Sequence, residues 1–202
     1  MKDTNTRDME TNLSPDQLLR AYMVGCFPMA DPDVLNRIAW YAPDPRAVLP
    51  LSDFKTPRSL RARIRRGDYR ITSDRAFDRV IRSCADREET WISEDVIVAY
   101  CALHELGYAH SIEAWAENEM VGGLYGVAIG GLFCGESMFS IKADASKVAL
   151  AYLVEKLINR GYVLLDIQFM TEHLSQFGAV EIPRVAYEEQ LLRAVAIGTT
   201  WI

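Results

Sequence analysis

The sequence predicts an α+β fold: a small N-terminal lobe over residues 1–70 and a larger domain on a mixed sheet over residues 71–202. Three observations predict it. Residues 109–139 read as three consecutive strands joined by tight turns, which makes a meander. Residues 145–168 read as a helix followed by an apolar strand, so the third strand, the helix and the fourth strand form a crossover. The first 70 residues carry only short elements. Antiparallel strands carrying helices and closed by one crossover form an α+β arrangement with a mixed sheet.

Residues 1–12 are polar and read as disordered. Ser14-Pro15 is a cap followed by proline in the first turn, and it opens a short helix to Val24 with Leu18, Leu19, Tyr22 and Met23 on its apolar side. Residues 25–29 break that helix, and residues 31–36 are polar. Residues 39–46 read as an aromatic loop pinned by prolines, leading into a strand over 47–51. A basic helix over 57–66, a strand over 69–72 and a helix over 77–85 follow. Glu94–Leu106 is a helix closed by Gly107. The strand 109–115 alternates, turns at Asn118-Glu119 and returns over 120–129, and Gly130-Gly131 turns into the strand 132–139.

The next helix, 145–160, carries the clearest local signals. Leu150, Leu153, Val154, Leu157 and Ile158 fall at helical spacing. Asp144 stands at the capping position, and Gly161 stands where a left-handed residue ends a helix. The strand 162–168 is almost continuously apolar, which predicts cover on both faces. A short helix over 172–177, an edge segment over 179–183 and a last helix near 187–196 complete the chain.

Half of the residues are hydrophobic and a quarter are charged, as in an ordinary globular protein. No apolar run approaches the roughly 18 residues that cross a membrane. The N-terminus lacks a signal-peptide core. The cysteines at 26, 84, 101 and 134 form no CxxC pair, and no HExxH occurs, so a reduced, cytoplasmic protein without a metal site is expected. Net charge is −6. Against that balance, residues 55–70 hold seven basic side chains and one acid, a docking pattern for a polyanion. Their richness in Arg favours phosphate.

Strand ends of open sheets carry ligands. Asp166 and Gln168 alternate with apolar neighbours and so are expected on one side of their strand. Glu136 is the one acid in the strand 133–140. Gly122-Gly123-x-x-Gly126 has the wrong spacing for a dinucleotide loop. Gly135-Glu136-Ser137 lacks the second glycine of a nucleophile elbow.

An ordered series of motifs then identifies a family. It begins with Leu18-Leu19-x-Ala21-Tyr22-x-x-Gly25-x-Phe27-Pro28, Trp40-Tyr41-x-Pro43-Asp44-Pro45-Arg46 and His104-Glu105-Leu106-Gly107-x-Ala109-His110-Ser111-Ile112-Glu113. It continues with Val121-Gly122-Gly123-Leu124-Tyr125-Gly126, Phe133-Cys134-Gly135-Glu136-Ser137-Met138-Phe139-Ser140, Ala145-Ser146-Lys147, Asp166-x-Gln168 and Gly178-Ala179-x-Glu181-Ile182-Pro183-Arg184. Over residues 13–190 the chain resembles the leucyl/phenylalanyl-tRNA–protein transferases.

The resemblance implies a Gcn5-acetyltransferase-like second domain. It implies transfer of Leu or Phe, and Met less well, from the 3′ acceptor end of aminoacyl-tRNA to proteins with an N-terminal Arg or Lys, marking them for the N-degron pathway. It implies a monomer needing no cofactor. It places catalysis on Asp166 and Gln168, with Gln168 holding the acceptor amine and Asp166 backing the Gln168 amide. Glu136 would contact the aminoacyl-adenosine end. Met29, Leu124, Phe133, Leu150, Leu153, Leu157 and Leu165 would line the side-chain pocket, with Trp91 against the adenine. Arg58, Arg61, Arg63, Arg65 and Arg66 would face the tRNA acceptor stem. Met29 stands where the family often has Trp, and Met is flexible and apolar enough to keep a looser pocket. An acyl-CoA acetyltransferase of the same fold would need an Arg/Gln-x-x-Gly-x-Gly loop, which this chain lacks.

Overall fold

The computed structural model describes residues 13–30 and 38–202; the disorder expected over 1–12 and the polar segment 31–36 fall outside them. Helix α1 (Pro15–Met23) opens with a complete capping box: the Ser14 hydroxyl accepts from the Gln17 N–H, and the Gln17 side chain accepts from the Ser14 N–H. Strands β1 (Phe27–Ala30) and β2 (Ile38–Tyr41) pair antiparallel as a small separate sheet. The aromatic stretch read as a loop is thus partly strand. It was missed because a four-residue strand that pairs only with its neighbour has no long alternation to betray it.

The large sheet has seven strands. They are β3 (Arg46–Val48), β4 (Arg70–Ser73), β5 (Ala109–Ala116), β6 (Glu119–Ile129), β7 (Leu132–Ser140), β8 (Leu164–Gln168) and β9 (Val180–Ile182). Their order is β4-β5-β6-β7-β8-β3-β9, and among the described residues only β7 and β8 run parallel. The expected meander is present as β5-β6-β7. The crossover is present as β7, α5 (Ala145–Asn159) and β8. β3 comes from before residue 70, yet it lies inside this sheet between β8 and β9.

Two apolar layers cover the sheet. One holds Leu18 and Tyr22 of α1, Val80 and Ile81 of α3 (Phe77–Ala85), Tyr100 of α4 (Glu94–Glu105) and Tyr187 of α7 (Arg184–Val195). The other holds Leu150, Leu153 and Leu157 of α5, with Leu60 of the basic helix α2 (Arg58–Arg66) and Trp201. Strand alternation assigns each side chain to its layer: Leu164 faces the first, Leu165 the second.

The start of α5 differs from the capping expected of Asp144. That residue has φ 63° and makes no capping bond. Its carboxylate is drawn away to Arg63 and Lys147, and the Ser140 hydroxyl accepts the Ser146 N–H instead. This end of the helix rests directly on β6. A Cβ at Gly122 would lie 2.6 Å from Ala145 Cβ and 3.0 Å from the Ser146 nitrogen. Gly122→Ala is therefore expected to cost about 1–3 kcal/mol, because backbone must move. Urea unfolding checks this, and an unchanged midpoint would contradict it.

Candidate functional site

The parallel pairing of β7 and β8 is short. It joins Leu132–Cys134 to Leu164–Asp166 and then stops, although β7 runs on to Ser140 and β8 to Gln168. A cavity of about 540 Å³ is lined from both strands beyond that point, by Gly135–Ser140 on one side and Ile167 and Gln168 on the other. A gap between two strands of one sheet leaves backbone and side chains open to a ligand, as at the switch points of open sheets.

A β-bulge shapes the gap. Tyr125 opposes Ser137 and Gly126 opposes Gly135, so Glu136 has no partner on β6. The extra residue reverses the alternation: Cys134 and Phe139 both belong to the first layer, Phe133 and Met138 to the second. Gly126 allows the bulge, since a Cβ there would collide with the Cys134 carbonyl and the Phe133 ring.

Glu136 reaches the cavity from the bulge. Its Oε1 accepts from Gln168 Nε2 at 2.9 Å and its Oε2 from the Tyr100 hydroxyl at 3.2 Å. The Tyr100 hydroxyl bonds in turn to that of Tyr22. Burial pushes the Glu136 carboxyl up to about 7, against the hydrogen bonds from Tyr22, Gln168 and Tyr100 that pull it down. Tyr125 also lines the cavity, and its hydroxyl is buried with no hydrogen-bond partner among the described residues. Burial first, then the Glu136 charge, raises the phenols of Tyr100 and Tyr125.

Gln168 departs from the expected strand geometry. Its φ is +66°, a left-handed conformation that costs an ordinary residue roughly 1–2 kcal/mol. Its side chain lines the cavity while that of Asp166 does not. Both side chains nonetheless bond toward the first layer, Gln168 through Glu136 to Tyr100 and Asp166 to Tyr187, as the alternation has it.

Asp166 does not hold the Gln168 amide, as the sequence reading had it. It is fully buried. Arg46 binds it through two hydrogen bonds, Nε to Oδ1 at 2.9 Å and Nη2 to Oδ2 at 2.7 Å. The Tyr187 hydroxyl donates to Oδ2 at 2.7 Å and the Gln168 backbone N–H to Oδ1 at 2.9 Å. Burial lowers the Arg46 guanidinium and the Asp166 carboxylate more than restores it, so it ends above its ordinary value. Arg46 also donates to the Gly25 carbonyl at 3.1 Å, and its guanidinium lies over the rings of Phe27 and Tyr187. Asp166 therefore ties β8, β3, α7 and the N-terminal lobe together, and its contact with Gln168 is to the backbone.

Of the other residues expected here, Met29, Trp91, Leu124, Leu150, Leu153 and Leu165 line the cavity. Phe133 and Leu157 do not; both are fully buried in the layer behind it, where Phe133 stacks on Trp201. Residue type alone cannot separate a pocket wall from the layer one residue deeper. Phe139, Ile167 and Leu174 line the cavity as well. Arg46, Tyr22, Tyr100, Tyr125 and Tyr187 were not among the site residues expected from the sequence. Arg46 left one signal, a charge opening an apolar strand.

On α2, Arg58, Arg61, Arg65 and Arg66 are exposed. Arg63 pairs with Asp68 and Asp144, and Arg66 with Asp68; Arg58, Arg61 and Arg65 have no acidic partner among the described residues. The His104–Glu113 motif works elsewhere. Glu113 accepts from the Ser111 and Thr72 hydroxyls and from the N–H groups before α3. Asp74, His104 and His110 converge closely enough to hold a metal ion. Their own contacts already occupy them: His110 bonds Asp74 and the Gly107 carbonyl, and His104 Nδ1 the Ala109 carbonyl. No helix among the described residues is long and apolar enough to cross a membrane.

Family comparison covers most of the chain. The model for the leucyl/phenylalanyl-tRNA protein transferase family matches residues 48–192, and that for the N-terminal domain of the same family matches residues 11–44. The leucyl/phenylalanyl-tRNA–protein transferase of Salinibacter ruber is 51% identical over 193 residues, covering 96% of this chain and 85% of its own. That of Paramagnetospirillum magneticum is 52% identical over 193 residues, covering 94% and 92%. Among solved structures, L-PGS from Bacillus licheniformis is similar over 75% of this chain and 65% of that chain, at a TM-score of 0.46 and 13% identity. This chain belongs to the leucyl/phenylalanyl-tRNA–protein transferase family.

Proposed function

We propose that this protein moves a leucyl or phenylalanyl group, and methionyl less well, from aminoacyl-tRNA to the N-terminal Arg or Lys of acceptor proteins in the cytoplasm. The product would enter the N-degron pathway. The second part of the chain is read as a Gcn5-acetyltransferase-like domain, on the strength of the meander, the crossover and the splayed parallel pair.

One observation carries the reading: the cavity in the splay joins an apolar wall to the Glu136–Gln168 pair. Leu124, Leu150, Leu153 and Leu165 suit a branched or aromatic side chain and disfavour a charge, whose unpaired burial is costly. Met29 extends that apolar wall, and Trp91 suits the terminal adenine. An aminoacyl ester is already activated, so the protein has mainly to bring an amine against its carbonyl, and orientation supplies roughly 7–11 kcal/mol of such a barrier. With its amide nitrogen given to Glu136, Gln168 turns its oxygen toward an incoming amine. Asp166 acts at one remove, holding the backbone that aims Gln168.

The direct test supplies radiolabelled leucyl-tRNA and a protein beginning with Arg. Label on the protein is expected; none, while the tRNA stays charged, would end the reading. The basic helix offers a second check. Arg58→Glu with Arg65→Glu is expected to weaken tRNA binding and to flatten its salt dependence by roughly one to two units of slope. An unchanged slope would remove α2 from the tRNA surface. Arg63→Glu should do less to the slope, because Asp68 and Asp144 already engage that guanidinium.

A further inference from the structure

We propose that the Glu136 carboxylate, and not Asp166, takes the proton from the attacking amine and returns it to the departing ribose oxygen. This rests on the transfer reaction proposed above and names the group that makes it run.

The argument begins with what Asp166 cannot do. Both of its oxygens are filled by Arg46, Tyr187 and the Gln168 N–H, and none of its surface is exposed. Accepting a proton there would strip the charge from the partner of a buried guanidinium, which is costly. An amide such as Gln168 is not basic. Glu136 is the carboxylate that lines the cavity, and it is joined to Gln168 by a hydrogen bond. The bulge places it there: the extra residue of β7 is the one whose side chain reaches the gap.

Its surroundings suit reversible protonation. Glu136 faces Tyr22 from α1, Tyr100 from α4, Tyr125 from β6, and Asp166 from β8. Cys134 precedes it on the same strand, and Arg87 lines the cavity beside it. Burial holds its carboxyl near neutrality, where a group can both accept and release a proton.

The step balances. The neutral amine attacks the ester carbonyl and forms the C–N bond. The nitrogen loses one proton to the Glu136 carboxylate. The C–O bond to the ribose breaks, and the departing oxygen takes that proton. Glu136 ends ionised, as it began, and no external reagent is consumed.

One rival lies in the same cavity. His173 lines it, and its Nε2 is buried without a partner among the described residues. It makes no hydrogen bond to Gln168 or Glu136; burial first, then Lys147, lowers its imidazole.

The test measures single-turnover transfer from preformed enzyme–leucyl-tRNA to an Arg-peptide, from about pH 5 to pH 9, a range that spans both groups. The native rate should depend on two ionisations, Glu136 near 7 and the acceptor amine near 7.7–8.0, so its logarithm approaches a slope of two at low pH. Glu136→Gln should lower the rate by roughly 10²–10⁴-fold, reduce that slope to one and leave charged-tRNA affinity unchanged. Tyr100→Phe should move the first inflection upward, since it removes a hydrogen bond that favours the carboxylate. His173→Gln should leave both inflections in place.

A Glu136→Gln enzyme that keeps the slope of two, or that loses only tRNA affinity, overturns the proposal. So does loss of the first inflection in His173→Gln. Failure of the native enzyme to transfer anything would be a different result, against the reaction itself.

Discussion

Asp166→Ala is expected to destabilise the protein by about 3–5 kcal/mol, through the loss of a buried partner more than through chemistry. The substitution leaves the Arg46 guanidinium charged and fully buried, with two donors unmet, and frees the Tyr187 hydroxyl and the Gln168 N–H. Each unmet buried donor adds its own desolvation cost. The midpoint of urea unfolding checks this, read beside near-ultraviolet circular dichroism. A variant that unfolds at the native midpoint while losing activity would show that Asp166 acts in the reaction and that the buried pair contributes little. Arg46→Met combined with Asp166→Leu should recover a large part of the lost stability, since apolar replacement of both partners removes the uncompensated charge. It should not recover transfer, because nothing then holds the backbone of Gln168.

Gln168→Gly should give the opposite pattern. Glycine accepts a φ of +66° without penalty, which offsets the entropy glycine adds to the unfolded chain. Stability should change by less than about 1 kcal/mol. Transfer should fall by about 10²-fold, because the amine loses the oxygen that aims it. Single-turnover rates and unfolding midpoints on the same preparation check both halves. A Gly variant within threefold of the native rate would take Gln168 out of the reaction. Strain held at a residue facing a ligand cavity is a pattern of functional sites, and here the strained residue and the proposed positioning residue are the same.

The polar wall of the cavity assembles residues that the chain keeps far apart. Arg46 and Asp166 are separated by 120 positions, and Glu136 and Gln168 by 32. Asp166 and Gln168 were visible as polar side chains on an apolar strand. Their division of labour was not, because it depends on the φ of one residue and on a guanidinium supplied by another strand. Phe133 and Leu124 look alike in sequence, yet one stacks on Trp201 in the interior and the other lines the cavity. The charge on α2 was legible as a run of arginines. Which of them are free depended on Asp68 and Asp144 folding back onto Arg63.

What the amino-acid order determined alone is local. Helix α5 follows from apolar spacing and a glycine exit, α1 from a serine cap with proline after it, and the meander from alternation between tight turns. Each needs only neighbours within a few residues, so each is written where it acts. The bulge at Glu136, the left-handed turn at Gln168 and the buried Arg46–Asp166 pair came only with the tertiary structure. A bulge is a property of two strands in register, and a buried charge is tolerable only once its partner has arrived.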